Sequence, residues 1–378
     1  MKTILNLFGL FLAISSYSQT YEEQLNKAGE ALGKKEYCTA LPFFKDAFKD
    51  ETKIGTYDYA YGSVAAANCN EEQLALVWLK KASEKGFGQN NGEIDFIASD
   101  PSFEKLHNYK EWNEIISSIR SALAEKNAIQ KKKDDNWLAE INNNKINFKT
   151  KKAKAGFALY FTKVDTINVP FLVYVPKNYN PKIATKAIVY LHGGVVNTDN
   201  FNYQNSDLAT GEPIFAVGEK FNAIIIYPFG KKTFGWVNQL KAFENVNSIV
   251  KQVQKTYNID AKKIYLGGMS NGGSATFWFA SQKNNIYKAF YTFSALPKLE
   301  IDEINFSNIT KPIFSVHAND DDLYKTDEIK KLYETQKLNA KNWNFETIEN
   351  GGHGFIYQPN SKEIIETTFN KMLEKRKN

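Results

Sequence analysis

Along the 378-residue chain the spacing of apolar positions changes once. From Tyr21 to about Ala128, alanines and aromatics recur at helical intervals and strand-like runs are absent. Helices are predicted over Tyr21–Gly33, Glu36–Asp50 and Tyr57–Asn68, with a fourth around "ALVWLKKA" (Ala75–Ala82). "AEKNAIQKKKDDNW" (Ala124–Trp137) is charged, has no clear apolar face, and reads as a solvated helix end or linker. "NNNKINFKTKKAKAG" (Asn142–Gly156) is polar and turn-rich. The pattern therefore separates a helical domain, 19–128, from a second domain, 151–378, by a linker at 129–150, with the boundary near Thr150.

Beyond that point short apolar runs take over. Strands are predicted at Phe157–Val164, Val169–Val175, Ala187–Leu191, Ala223–Tyr227, Ile264–Leu266, Ala289–Phe293, Ile313–Val316 and Phe345–Ile348, the first two as an antiparallel pair. Helical segments lie between the later ones: Val237–Tyr257, Ser274–Gln282, Thr326–Leu338 and Ser361–Glu374. Strands alternating with helices specify an α/β domain, an eight-stranded mostly parallel sheet covered on both faces.

The helical half carries an internal repeat. "ALPFFKDA" (Ala40–Ala47) aligns with "ALVWLKKA" (Ala75–Ala82) at an offset of 35, and small alanines at fixed spacing let helices approach closely. The period resembles that of a tetratricopeptide repeat, with "DPSFEKLHNYKEWNEI" (Asp100–Ile115) as a closing segment. The usual Trp and Gly-Tyr positions are not all present, and a generic helical bundle is the alternative. Such repeats imply a protein partner.

Composition adds little to this division. The chain is 43% hydrophobic and 24% charged, with a formal charge of +6 spread among acids, which reads as a solvated surface rather than a nucleic-acid footprint. The first eighteen residues, "MKTILNLFGLFLAISSYS", have the form of a signal peptide: Lys2, an apolar run from Ile4 to Ile14, then Ser16 and Ser18 at the positions a signal peptidase reads. Cleavage is expected before Gln19, and no cysteine at that junction suggests a lipoprotein anchor. The apolar run is too short to span a bilayer, and no later run is long enough. A secreted or periplasmic protein is the expectation. In such a compartment the two cysteines, Cys38 and Cys69, can pair. Cys38 falls near the start of the second predicted helix and Cys69 just past the end of the third. Antiparallel packing of these two helices brings those ends together.

The chemistry-bearing stretch is "IYLGGMSNGGSATF" (Ile264–Phe277). Gly268-Met269-Ser270-Asn271-Gly272 has the Gly-x-Ser-x-Gly form of a nucleophile elbow, set between an apolar strand and a helix. A side chain at Gly268 or Gly272 is expected to collide with a neighbouring strand or helix. A serine needs a base, and the chain has only four histidines. His107 lies in the helical region, His192 follows the third strand, His317 ends the seventh, and His353 follows the eighth within "NGGHGF". The loop after the last strand supplies the base in this architecture, which selects His353. "HANDDDLY" then offers Asp320, Asp321 and Asp322 as the acid that orients it.

These motifs together resemble the α/β-hydrolase superfamily, over about Phe171 to the C-terminus. "IIIYPFGKKTFGW", "KKIYLGGMSNGGSATF" and "GGHGF" are most similar to feruloyl esterases and polyhydroxybutyrate-depolymerase-like esterases. The resemblance implies the order Ser270, Asp321, His353 as nucleophile, acid and base. Asp321 is chosen because His-Gly-x-x-Asp maps onto His317 and Asp321, with Ala318 in place of the glycine; Asp322 is the second choice. It also implies an oxyanion hole from the amide of Asn271 and, in "HGGV", that of Gly194 or Val195, with His192 a structural residue of that loop. Phe229, Phe234 and Trp236 either line a substrate pocket or pack in the core. About fifteen residues separate the sixth and seventh strands, too few for a large lid. No metal or organic cofactor is implied. The expected activity is ester hydrolysis through an acyl-enzyme on esters, acylated carbohydrates or peptides. Gly273 also occurs in the prolyl oligopeptidase family, so a peptidase or amidase is the alternative, and a binding protein with a vestigial hydrolase domain the third.

Overall fold

The computed structural model describes residues 21–90, 92–145, 154–301 and 303–373. The expected signal peptide and the boundary near Thr150 lie outside them. The chain divides into two compact units after Lys132.

The first unit is helical. α1 (residues 21–33) is followed by α2 (Tyr37–Ala47), α3 (Thr56–Asn68), α4 (Glu72–Glu84), α5 (Glu93–Ser99) and the start of α6 (Lys110–Asn143). The alanines of the repeat, Ala40, Ala47, Ala75 and Ala82, are all buried, which is why the spacing is kept. Gly62 serves the same close packing, since a Cβ there would stand 2.8 Å from the Phe48 ring and 3.0 Å from Trp78. Ser63 on α3 donates to the Ala75 carbonyl on α4 at 2.8 Å. Cys38, in the first turn of α2, is disulfide-bonded to Cys69, which caps the C-terminus of α3, with Cα atoms 5.0 Å apart.

In the second unit a single sheet runs in the order β1-β2-β4-β3-β5-β6-β7-β8. Its strands are β1 (Gly156–Val164), β2 (Ile167–Val175), β3 (Thr185–Leu191), β4 (Ile224–Pro228), β5 (Ile259–Met269), β6 (Ala289–Phe293), β7 (Ile313–Ala318) and β8 (Trp343–Ile348). β2 pairs antiparallel with β1 and β4, and every other pairing is parallel. This is the strand order of the α/β-hydrolase fold. Parallel strands are covered on both faces, so their sequences run continuously apolar, as in Ile224, Ile225 and Ile226. Side chains alternate between the faces. Val189, Leu191 and Leu266 meet α9 (Leu240–Thr256) and α10 (Asn271–Ser281). Ile188, Tyr190 and Tyr265 meet α8 (Ile214–Phe221) and α12 (Ser361–Leu373). Two short helices, α7 (Ser206–Thr210) and α8, lie between β3 and β4, and α11 (Thr326–Gln336) completes the set.

The division after Lys132 falls within the stretch expected as a linker, 129–150. α6 continues to Asn143, and Trp137 and Ile141, four residues apart, are buried with Leu159 and Leu172 of the sheet. The Trp137 indole donates to the Tyr203 carbonyl at 2.8 Å, and Asp134 accepts from the amide and hydroxyl of Ser206. Surrounding charges hid this short apolar face from the sequence pattern. No described helix is long and apolar enough to cross a membrane.

The disulfide closes a loop between residues 31 apart in sequence and should contribute about 3–4 kcal/mol by loop-closure entropy. Cys38→Ser/Cys69→Ser should lower the urea midpoint of the helical unit accordingly, and addition of reductant should shift the midpoint of the unmodified chain but not that of the double variant.

Candidate active site

The residues singled out by the motifs gather at the C-terminal ends of the central strands, where open α/β sheets bind ligands. Ser270 stands between β5 and α10 with φ +53° and ψ −118°, a conformation that costs a non-glycine residue about 1–3 kcal/mol. Its neighbours explain how the turn is held. A Cβ at Gly268 would lie 2.2 Å from the Leu191 carbonyl oxygen of β3, and one at Gly272 would lie 1.8 Å from the same atom. Only glycines let the elbow close against β3. The Ser270 amide donates to the Phe293 carbonyl of β6 at 2.9 Å, and α10 directs its N-terminus at the serine.

His353 lies after β8 in a loop where Gly351 and Gly352 have φ +134° and +60°. Its Nε2 is 2.8 Å from Ser270 Oγ, and its Nδ1 is 2.9 and 3.2 Å from the two carboxylate oxygens of Asp321. Asp321 is buried and also accepts from the amides of Leu323 and Tyr324 at 3.0 and 2.8 Å. Asp322 is exposed. Asp320 takes a different part: its carboxylate accepts from the amides of Gly351 and Gly352 at 3.1 and 2.8 Å, which holds it below its ordinary pKa. Ser294, itself at φ +47°, donates to the His353 carbonyl at 2.7 Å. The glycine-rich loop is thus pinned on both sides of the imidazole.

The other two histidines near the sheet are occupied. His317 Nε2–H donates to the Tyr324 carbonyl at 2.7 Å and lies 3.1 Å from Asp321. Burial lowers its pKa. His192 Nδ1–H donates to the Gly193 carbonyl at 2.7 Å, and its Nε2 accepts from the Gly230 amide at 3.0 Å. Both nitrogens are used, and burial pushes its pKa down to about 4, so the ring is neutral. It ties the loop after β3 to the loop after β4.

A cavity of about 580 Å³ contains Ser270 and His353, and Gly193, Gly194, Asn271, Phe229 and Tyr324 are among its walls. Val195 is buried in the core beside the loop. The backbone of Gly193, within "HGGV", packs on the elbow: a Cβ there would stand 3.0 Å from Ser270 Cβ. Trp236, expected as a pocket residue or a core residue, belongs to the core. Its indole N–H donates to the His192 carbonyl at 3.1 Å, and its ring lies against Gly230. Phe234 packs with Val169 and Ala242. Tyr324, which meets the His353 ring edge-on at 5.0 Å, carried no sequence signal. Among the described residues no cluster of three or more His, Cys, Asp or Glu is arranged to hold a metal.

A nucleophilic hydroxyl, an imidazole and a carboxylate in one hydrogen-bonded row, beside backbone amides at a helix N-terminus, can perform acyl transfer. The second unit has the α/β-hydrolase fold. Within it, residues 231–376 match the Dienelactone hydrolase family. Similar curated proteins are the Bifunctional acetylxylan esterase/xylanase XynS20E of Neocallimastix patriciarum, 32% identical over 42% of this chain and 22% of its own length, and a Putative carboxymethylenebutenolidase of Aquifex aeolicus (strain VF5), 28% identical over 31% of this chain and 48% of its own. The matches thus span less than half the length of either relative. Among solved structures, a thermostable esterase aligns with TM-score 0.46 and 22% identity over 57% of this chain and 62% of that one. Est1E from Butyrivibrio proteoclasticus aligns with TM-score 0.43 and 17% identity over 57% of this chain and 97% of that one. The fold assignment rests on the strand order.

Two outcomes follow from this packing. Gly272→Ala should destabilise the domain by more than about 4 kcal/mol, because backbone must move. Gly352→Ala, with nothing within 4 Å of the new Cβ, should cost only about 1–2 kcal/mol of left-handed backbone strain, and thermal melts of the two variants should separate accordingly. The second outcome concerns His192. In the unfolded chain an imidazole gains its proton near 6.5, but His192 gains it only near 4. Between those values the unfolded state binds more protons, so stability should fall as pH drops from about 6.5 to about 4, by up to about 3 kcal/mol. Denaturant titrations at several pH values should show a smaller slope for His192→Gln than for the unmodified chain.

Proposed function

We propose that the protein is an exported serine esterase that hydrolyses carboxylic esters through an acyl-enzyme on Ser270. The observation that carries this reading is the unbroken row from Ser270 Oγ to His353 Nε2 (2.8 Å) and from His353 Nδ1 to Asp321 (2.9 Å), built on a strained elbow. His353 takes the Oγ proton as Ser270 attacks the ester carbonyl. Asp321 orients the ring and balances the imidazolium as it forms. Amides of Asn271 and of the Gly193–Val195 loop receive the charge on the carbonyl oxygen. The alcohol leaves with the proton from His353. Water, deprotonated by the same imidazole, then releases the acid and restores the serine.

The Dienelactone hydrolase match and the acetylxylan esterase relative support hydrolysis of an ester over an amide bond. The disulfide supports export, because such bonds persist in oxidising compartments. The helical unit is read as a tetratricopeptide-like module that engages a protein partner.

Ser270→Ala, His353→Ala and Asp321→Asn should each lower kcat on p-nitrophenyl acetate by about 10⁴-fold or more, far from additively in combination. A fluorophosphonate should add to Ser270 in exported protein whose mass begins at Gln19. Full activity in Asp321→Asn, failure of the probe to label, or turnover of aminoacyl-naphthylamides in preference to esters would each count against the proposal.

A further inference from the structure

The cavity that contains Ser270 and His353 also holds a second polar centre, Glu212, in its wall. Glu212 precedes α8 and is only 9% exposed. Three tyrosines from separate segments donate to its carboxylate. Tyr190 of β3 and Tyr357 beyond His353 reach Oε2 at 2.8 and 3.0 Å, and Tyr227 of β4 reaches Oε1 at 3.2 Å. Among the described residues its interacting partners are these hydroxyls, with no lysine or arginine among them. Burial raises its pKa, and the three hydroxyls oppose that rise.

A carboxylate has about four acceptor positions. Two donors fill Oε2, while Oε1 has one donor at the longest of the three distances. Among the described residues, one position therefore remains on Oε1. Beside it the rings of Tyr227 and Phe229, 5.1 Å apart, form an aromatic wall of the same cavity. Among the described residues, no lysine or arginine lines that cavity.

We infer that Glu212 is a specificity-determining residue: its Oε1 accepts a hydrogen bond from a hydroxyl of the substrate, whose ring rests on Tyr227 and Phe229. This deepens the ester-hydrolase reading and rests on it. A hydroxyl brings one donor to one acceptor position. An ammonium brings three, two more than the open position on Oε1 can take. The hydroxyl can belong to the acid portion or to the alcohol portion of the ester.

Calorimetry on Ser270→Ala separates these sources with two ligand pairs. Methyl 3-(4-hydroxyphenyl)propanoate against methyl 3-phenylpropanoate places the hydroxyl on the acid side. 4-Hydroxycyclohexyl acetate against cyclohexyl acetate places it on the alcohol side. One hydroxylated member should bind about tenfold tighter or more than its partner, and adding Glu212→Gln should reduce that ratio below about threefold. Adding Tyr227→Phe instead should preserve or raise the ratio, because Oε1 loses its protein donor; this arm stands even if Glu212→Gln does not fold. The inference is overturned if neither pair shows a hydroxyl preference, or if Glu212→Gln weakens both members equally, as a bracing role through Tyr357 would. It is also overturned if Tyr227→Phe abolishes the preference, or if the 4-aminomethyl analogue binds tighter than the hydroxyl compound. Turnover of the same esters by the unmodified chain is scored separately. A hydroxyl preference in Ser270→Ala with no turnover would sink the esterase reading while leaving the subsite intact.

Discussion

One close approach organises the site: the carbonyl oxygen of Leu191, at the end of β3, against the backbone of Gly268 and Gly272. It closes the turn that holds Ser270 in its positive-φ conformation. The same strand end leads directly into the loop of His192, Gly193 and Gly194, so the serine and the candidate amides opposite it are set by one contact. Gly193 packs on Ser270 from that side, while the amide of Ser270 is fixed from the other side by Phe293 of β6. A residue later, Ser294 also adopts a positive φ and grips the His353 carbonyl. Two strained serines at the ends of adjacent strands thus locate the Ser270 hydroxyl and the His353 imidazole relative to each other. Strain of this kind persists only where surrounding structure over-determines it, and here the neighbours are rigid sheet backbone.

The buried polar groups divide their tasks in a consistent way. His192 is neutral, and it and His317 spend ring nitrogens on backbone partners, where they brace loops. His353, less buried, keeps Nε2 directed at Ser270. Asp321 is a hub for two backbone amides and the His353 ring, and its neighbour Asp320 reaches the opposite side of the same loop. Adjacent acids therefore act on adjacent parts of one loop, because successive side chains in the turn after β7 point in different directions. Asp322 points to solvent. Glu212 is the exception to the pattern: a buried carboxylate away from this row, satisfied by three phenols, in the wall of the cavity that the row faces.

The helical unit reaches its stability by other means. Alanines and Gly62 bring helix backbones together, aromatic rings of Phe48, Tyr59 and Trp78 fill the remaining space edge to face, and the disulfide ties α2 to α3. A small helical unit buries a limited core, and a covalent staple compensates for that.

The sequence by itself determined the fold class and the elements that matter most. Period 2 and continuous apolar runs located all the strands within a few residues, and the glycines around Ser270 announced a turn that only glycine permits. The histidine count left few bases to consider, and the resemblance to α/β-hydrolases, through His-Gly-x-x-Asp mapped onto His317 and Asp321, implied one acid among its neighbours. These features are local: each depends on residues close together in the chain. What tertiary structure decided was non-local. The end of α6 docks through Trp137 and Ile141, a face too short to stand out among charges. Trp236 is a core brace because the carbonyl of His192, 44 positions away, accepts its indole proton. Gly193 matters because β3 and β5 lie side by side. Glu212, in an unremarked "TGEP", acquires meaning only when Tyr190, Tyr227 and Tyr357 converge on it from three segments, and no spacing within one segment can encode a partner set that the sheet order assembles.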